Sequence, residues 1–349
     1  MIGPNTSGII NTSIGLNLVG IRDVRSGSIA LLAQSGNVAL DIMTTASARG
    51  IGLSLYVGVG NETDVAFHEY LDYLESDPNT DTIMMYVEGL RDGRRFIELA
   101  RRVSQTKPIV LLKGGRSVGG VAAARSHTGA IAGSYPVLRA ALRQYGVSEV
   151  LRADELLSVG QVLSSQPPVP AGSEVLVLSD GGGHAALATD ALTELGVPLA
   201  VLSDETQRQL RKRLGRAASV TNPIDIAGAA DQDPRVFARA LEVLVRDPAV
   251  GAVFVVGLFG GYSIRFTEAI GEAECEAADA MADLMAQTGK ALVVHSLYAN
   301  RRTDALKRLA GKGVPVVNSL EVGARCMRTA HARGLSLHER PVPPPSPPP

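Results

Sequence analysis

The chain has no tryptophan, only 4% aromatic residues and two cysteines in 349 residues. Scarce aromatics leave the core to Ala, Val, Leu and Gly, a mix that suits parallel α/β layers with branched residues in buried strands and alanine on packed helices. Cys275 and Cys326 lie far apart, on helix-like segments without metal-ligand spacing, so they read as buried free thiols of a reducing compartment. The formal net charge of -1 supplies no basic footprint for nucleic acid or anionic lipid. Apolar runs are strand-sized, too short to span a membrane, and the first residues carry no basic n-region of a signal peptide. A cytoplasmic protein is expected. The G-x-G-x-x-G fingerprint, the Walker lysine motif and a Cys/His metal set are all missing.

What is present is a rhythm. Short apolar runs at Ser28–Ala33, Leu53–Val57, Thr82–Val87 and Pro108–Lys113 alternate with helix-period stretches, among them 64–74, 92–103 and 135–144. That alternation predicts a parallel sheet covered on both faces. Pro167-Pro168-Val169-Pro170 interrupts it, since such a stretch resists both helix and central strand. The pattern then restarts, with strands expected at 174–178, 252–256, 291–294 and 314–317 and helices at 184–195, 233–244, 267–286 and 320–332. The proline-rich end, residues 337–349, is expected to be a polyproline-like tail.

In an open parallel sheet, ligands gather beyond the carboxyl ends of the strands. Ser35, Glu88 and the Lys113-Gly114-Gly115 turn leading to His127 all fall at such ends. His127 stands in Ser126-His127-Thr128-Gly129-Ala130, where little bulk surrounds the imidazole and glycine would let a reactant approach closely. Such a loop suits a charge-carrying or phosphate-carrying histidine. Ser35-Gly36-Asn37 opens a helix directly after a strand; it is either an anion site or an ordinary N-cap, and the motif alone favours the cap. Gly181-Gly182-Gly183 repeats the arrangement at a high cost in backbone entropy, which favours close approach by a ligand or another chain. His184 follows and could touch whatever binds there. Glu88 could orient an imidazole, although a solvated strand-end charge is the simpler reading. His68, His331 and His338 are expected on surfaces, and His295 at a strand end is either functional or rim-exposed.

Several ordered segments together carry a resemblance. Gly3-Pro4-Asn5 with Gly8-Ile9-Ile10-Asn11, Gln34-Ser35-Gly36, Gly60-Asn61 with Asp64, Tyr86-Val87-Glu88-Gly89 with Asp92-Gly93-Arg94, Lys113-Gly114-Gly115-Arg116 and Ser126-His127-Thr128-Gly129-Ala130 span the first half. Gly181-Gly182-Gly183 with Ala188-Thr189-Asp190-Ala191-Leu192, and Asn222-Pro223-Ile224-Asp225, span the second. In these the chain resembles the NDP-forming acyl-CoA synthetases, the superfamily of succinyl-CoA synthetase and the ADP-forming acetyl-CoA synthetases. The resemblance implies an α/β protein with two tandem flavodoxin-like domains and parallel sheets. It implies a remnant of a CoA-binding domain over residues 1–25, flavodoxin-like domains over 26–165 and 174–336, and a linker at 166–173.

It further implies that His127 is transiently phosphorylated, with Glu88 as its partner. Ser35, Gly36 and Asn37, and Gly181, Gly182 and Gly183, would hold the phosphoryl group, with His184 and Gly129 nearby and no metal ligand. The implied reaction converts a carboxylic acid, CoA and ATP into acyl-CoA, ADP and phosphate through acyl phosphate and phosphohistidine. CoA, ATP or ADP, and Mg²⁺ are then expected only through partner ATP-grasp and CoA-binding units, with none bound tightly to this chain and an oligomer as the working form. The chain departs from the family pattern at Asn5-Thr6-Ser7, where Cys-Leu is common. It departs again at Ser179-Asp180, in place of Thr-Asn, and at His184, where a smaller residue or proline is usual. A truncated coding sequence, a non-catalytic scaffold or regulatory module, and an acyl- or carbamoyl-transferase relative therefore remain as alternatives.

Overall fold

The structure is a computed structural model that describes residues 1–122 and 134–338. It contains two sheets. The first has strands β1 (Ile9–Asn11), β2 (Leu16–Asn17), β3 (Ser26–Ala33), β4 (Leu53–Gly58), β5 (Thr82–Val87), β6 (Ile109–Lys113) and β7 (Ser148–Val150), in the order β2-β1-β4-β3-β5-β6-β7. The second has β8 (Glu174–Ser179), β9 (Ile224–Asp225), β10 (Val250–Val256), β11 (Ala291–His295) and β12 (Val316–Val317), in the order β12-β11-β10-β8-β9. The run from β3 to β7 is parallel, as is the whole second sheet. Each parallel set follows the flavodoxin-like order 2-1-3-4-5, with β3 and β8 as first strands. The expected fold class, two tandem flavodoxin-like α/β units, is the one found.

Buried strands read as continuous apolar runs because both faces are covered: Leu53–Gly58 and Val250–Val256 are buried throughout. One core lies outside the first sheet, around Phe67, Leu71, Phe96 and Leu111, and another outside the second, around Phe237, Leu241, Met281 and Leu309. A third is shared, bringing Leu31 and Met84 of the first sheet together with Val177, Phe254 and Val293 of the second. The helices between the sheets fill it: α1 (Gly36–Arg49), Ala153–Ser165, Gly182–Glu194 and Leu320–His338. Polar contacts cross the same seam, with Arg49 donating to the Val316 carbonyl at 3.4 Å and Arg333 to that of Ser104.

Where elements differ from expectation, local chemistry accounts for the shift. The helix expected from Asp64 begins at Phe67, because Glu69 accepts from the Ala66 N–H and Glu62 from the Phe67 N–H, both at 2.8 Å. The helix expected from Thr267 is interrupted: a 3₁₀ turn (Glu268–Ile270) precedes the helix proper at Gly271–Thr288. The strand expected over 314–317 is confined to Val316–Val317, and the last helix continues to His338. Elements not read from the sequence include β1 and β2, which add an antiparallel edge next to β4. Helices Asp204–Leu214 and Asp304–Gly311 are charged, and their apolar stripe is thin, resting on Leu210 in one and on Leu306 and Leu309 in the other.

Candidate functional site

Both candidate regions lie where the strand order reverses, so that the loops after adjacent strands diverge and leave a crevice. In the first sheet that place is between β3 and β5. β3 ends at Ala33, Gln34 follows, and Ser35 caps α1 in an extended conformation, its Oγ accepting from Val38 N at 3.4 Å. That bond is long, so the cap is weak. Ser35 and Gly36 are half-buried and Asn37 is exposed. The first-turn N–H groups of a helix have no intrahelical acceptors, and with the helix dipole they favour an anion.

Gln34, which the sequence reading passed over as a residue with a role of its own, ties the rim together. The residue is only 6% exposed. Its Oε1 accepts from the backbone N–H groups of Glu88 and Gly89, and its Nε2 donates to the Gly89 carbonyl at 3.0 Å and to Glu62 Oε2 at 3.1 Å. The loop carrying Glu88 is thereby fastened to the start of α1. Glu88 is buried and accepts from Tyr86 Oη at 3.3 Å. Lys113 is buried too, donating to the carbonyls of Glu88 (2.6 Å) and Gly114. Burial lowers the Lys113 ammonium pKa, while the neighbouring Glu88 opposes the shift. Gly114 has no room for a side chain, since a Cβ there would meet Tyr86 Oη at 2.6 Å. Burial pushes the Glu62 carboxyl upward, against the hydrogen bonds from Phe67 N–H and Gln34.

Ser35, Gly36, Glu88 and the Lys113-Gly114 turn thus meet at one rim. His127 and Gly129 lie outside the described residues. A buried amide such as Gln34 gives no signal in hydropathy, and only its position between strand and cap marks it. The first residues also reach this rim: Ser7 Oγ hydrogen-bonds Tyr56 Oη, and a Cβ on Gly36 would meet Ser7 Cβ at 3.1 Å.

The second sheet repeats the plan between β8 and β10. β8 ends at Ser179, Asp180 follows, and Gly181 occupies the N-cap of the helix Gly182–Glu194. Asp180 Oδ2 accepts from Leu258 N at 2.9 Å, just beyond β10, as Gln34 Oε1 accepts from Glu88 N just beyond β5. Tyr262 Oη also donates to Asp180. Burial raises the Asp180 carboxyl pKa despite those bonds. Gly257 has φ +128, and a Cβ there would lie 2.0 Å from Asp180 Oδ1, so glycine is required. Gly181 and Gly183, by contrast, have open space where a Cβ would project.

His184 is half-buried, its ring 5.7 Å from that of His295 and tilted by 36°. His295 is only 3% exposed, and Gly257 N–H approaches its Nδ1 at 3.4 Å. Burial, then His184, lowers its pKa to about 4, so the imidazole is neutral at physiological pH. Asn222 is structural: its Oδ1 accepts from Val177 N, and its Nδ2 donates to the Val175 and Ala200 carbonyls, imitating a strand beside β8. Among the described residues no hydrogen bond joins the two rims, and no three His, Cys, Asp or Glu side chains converge as a metal set. No described helix is long and apolar enough to cross a membrane. Of the other histidines, His68 and His331 are half-buried and His338 is exposed, while both cysteines are buried and free.

Residues 26–163 match the family model described as a succinyl-CoA ligase-like flavodoxin domain. The chain is 38% identical over 265 residues to the alpha subunit of an ADP-forming acetate–CoA ligase II from Pyrococcus furiosus, a match covering 75% of this chain and 57% of that one. It is also 38% identical over 257 residues to an ADP-forming acetate–CoA ligase I from Archaeoglobus fulgidus, covering 73% of this chain and 37% of the relative. The chain therefore spans from about a third to three fifths of these two curated relatives. Among solved structures, an acetyl-coenzyme A synthetase 1 from Ca. Korarchaeum cryptofilum, in complex with phosphate and ADP, superposes with a TM-score of 0.85. That match has 29% identity and covers 97% of this chain and 71% of that one.

Proposed function

The chain belongs to the NDP-forming acyl-CoA synthetases, and on that premise we propose that it is the phosphohistidine-bearing part of an NDP-forming acid–CoA ligase. In this reading His127 carries the phosphoryl group and Glu88 orients the imidazole, holding its proton on the nitrogen that does not react. The N–H groups at Ser35, Gly36 and Asn37 take the phosphoryl oxygens, and those at Gly181, Gly182 and Gly183 offer the equivalent cradle, with Gly129 and His184 beside the path. The observation that carries the reading is the fastening of the Glu88 loop to the helix N-terminus by Gln34, which sets a carboxylate and an anion site on one rigid rim.

The chemistry balances in two phosphoryl transfers followed by one acyl transfer. The phosphoryl group of ATP passes to an imidazole nitrogen of His127, releasing ADP. A carboxylate substrate oxygen then attacks that phosphorus, the P–N bond breaks, and an acyl phosphate forms. The thiolate of CoA attacks the acyl carbon and phosphate leaves. CoA, the nucleotide and Mg²⁺ would be held by CoA-binding and ATP-grasp units, where the metal would supply positive charge against the nucleotide phosphates. The chain's own share is to bind the phosphoryl group, orient the imidazole and exclude water.

The test is labelling with ATP carrying a radioactive terminal phosphate, in lysate of the source organism, beside a His127→Ala control. Acid-labile, alkali-stable label on the wild type alone is expected. Glu88→Gln should slow its appearance by ten- to a hundredfold. No label on the wild type, where a known relative is labelled in the same lysate, would replace this reading with that of a scaffold.

A further inference from the structure

Away from both rims lies a cleft of about 540 Å³ between the helices Tyr135–Gln144 and Leu320–His338, floored by the turn that enters β7. Gln105, on the segment entering β6, borders it. Since Lys113 ends β6 at the first rim, the cleft opens on the opposite edge of that sheet. Six arginines line it, Arg101, Arg139, Arg143, Arg325, Arg328 and Arg333, and among the described residues Glu149 is the one carboxylate in the lining. Glu149 is already engaged, accepting from Tyr135 Oη at 2.6 Å and lying 3.2 Å from Arg139 Nε.

Two of these cations are poorly matched by the protein itself, whereas Arg333 donates to the Ser104 carbonyl. Arg139 Nε and Arg325 Nε are buried without a hydrogen bond of good geometry, and the nearest carboxylate oxygen to Arg325 Nε, on Glu155, is 3.7 Å away. Burial, and then Arg325, Arg143 and Arg139, lower the pKa of Arg328. Like charges gathered in a half-buried cleft repel one another, and a multiply charged anion is what relieves that repulsion. Guanidinium groups are also the side chains best suited to bidentate hydrogen bonds with phosphate oxygens.

We propose that this cleft binds a small polyanion of the phosphoanhydride class, an inorganic triphosphate or a nucleoside triphosphate. Six cations spread around the cavity exceed what a single phosphate spans. A concave volume of this size falls in the range of small-molecule sites rather than of flat protein-docking faces. The bound anion would join the helix Tyr135–Gln144 of the first half to the last helix of the second. This site is independent of phosphohistidine chemistry.

The full chain is titrated calorimetrically at about 0.15 M salt, where exposed charge pairs are screened, with inorganic triphosphate, ATP, phosphate and a ten-residue polyglutamate peptide. Expected is one triphosphate per chain, at least tenfold tighter than phosphate; ATP binding alike marks the shared anhydride, and tighter ATP binding marks the nucleotide. Arg143→Gln, at an exposed position, and Arg328→Gln should each weaken binding tenfold or more with unchanged circular dichroism, while Ser35→Ala leaves it intact. Wild-type affinity in both arginine variants, loss of binding in Ser35→Ala, no binding by the wild type, or tighter binding of the peptide than of triphosphate would each overturn the proposal.

Discussion

Gln34 shows how much one uncharged side chain can hold. Two buried backbone N–H groups, those of Glu88 and Gly89, depend on its carbonyl. Gln34→Leu keeps the volume roughly and removes the acceptor, so a loss of about 2–4 kcal/mol is expected in urea denaturation, because buried donors left unpaired cost about 1–3 kcal/mol each. Gln34→Glu keeps the acceptor but faces Glu62, and it should destabilise more at pH 8 than at pH 5, where protonation of either carboxyl relieves the repulsion.

His295 gives a second test at this scale. Its pKa falls from about 6.5 in the unfolded chain to about 4 in the fold, so the unfolded state takes up the proton first. The neutral ring's contribution is complete above about pH 6.5 and is lost as pH falls towards 4. Stability of the wild type relative to His295→Gln should therefore drop by up to about 3 kcal/mol between pH 7 and pH 4. A flat difference across that range would show that the ring is not buried as described. Ser35 and Glu88 were legible in the sequence because strand ends can be read from apolar runs. Lys113 was placed at a strand end in the same way, but its burial, like that of Gln34 and Glu62, was not legible, because nothing local says which polar side chain will be buried.

At the scale of the element, the two helices that follow β3 and β8 differ in how their first turns are built. The first has a serine cap and is crowded by Ser7; the second has three glycines with little against them. Gly183→Ala meets no atom within 4 Å. It should raise the melting temperature by about 1–2 °C, through up to about 1 kcal/mol of helix propensity. If the anion approaches that turn, the same variant should lose phosphoryl transfer, so that stability and activity move in opposite directions. Improved stability with full activity would remove the second cradle from the reading. The long periodic helices and buried strands were legible for the reason the glycines were: their pattern is local. The helix Asp204–Leu214 and the two-residue strand β9 were hidden, one by its charge and the other because its pairing with β8 is set by distant residues.

For the whole molecule the decisive feature is the core that both sheets share, a property that no segment of sequence displays. The proline-rich stretch marks where the rhythm pauses, yet Val169 in it donates to the Ala330 carbonyl at 3.1 Å and presses against the last helix. Gly334 permits that contact, since a Cβ there would lie 1.7 Å from the Val169 carbonyl oxygen. Gly334→Ala should cost about 3 kcal/mol, as overpacking against backbone does. Calorimetry of the wild type should show one transition, because neither sheet retains a covered inner face without the other; two separated transitions would refute the shared core. The same continuity bears on how a reaction could be organised here. If the two helix ends take the phosphoryl group as proposed, one undivided interior makes them fixed jaws: their spacing is a constant of the frame, and cargo would have to be carried across it rather than squeezed between closing halves.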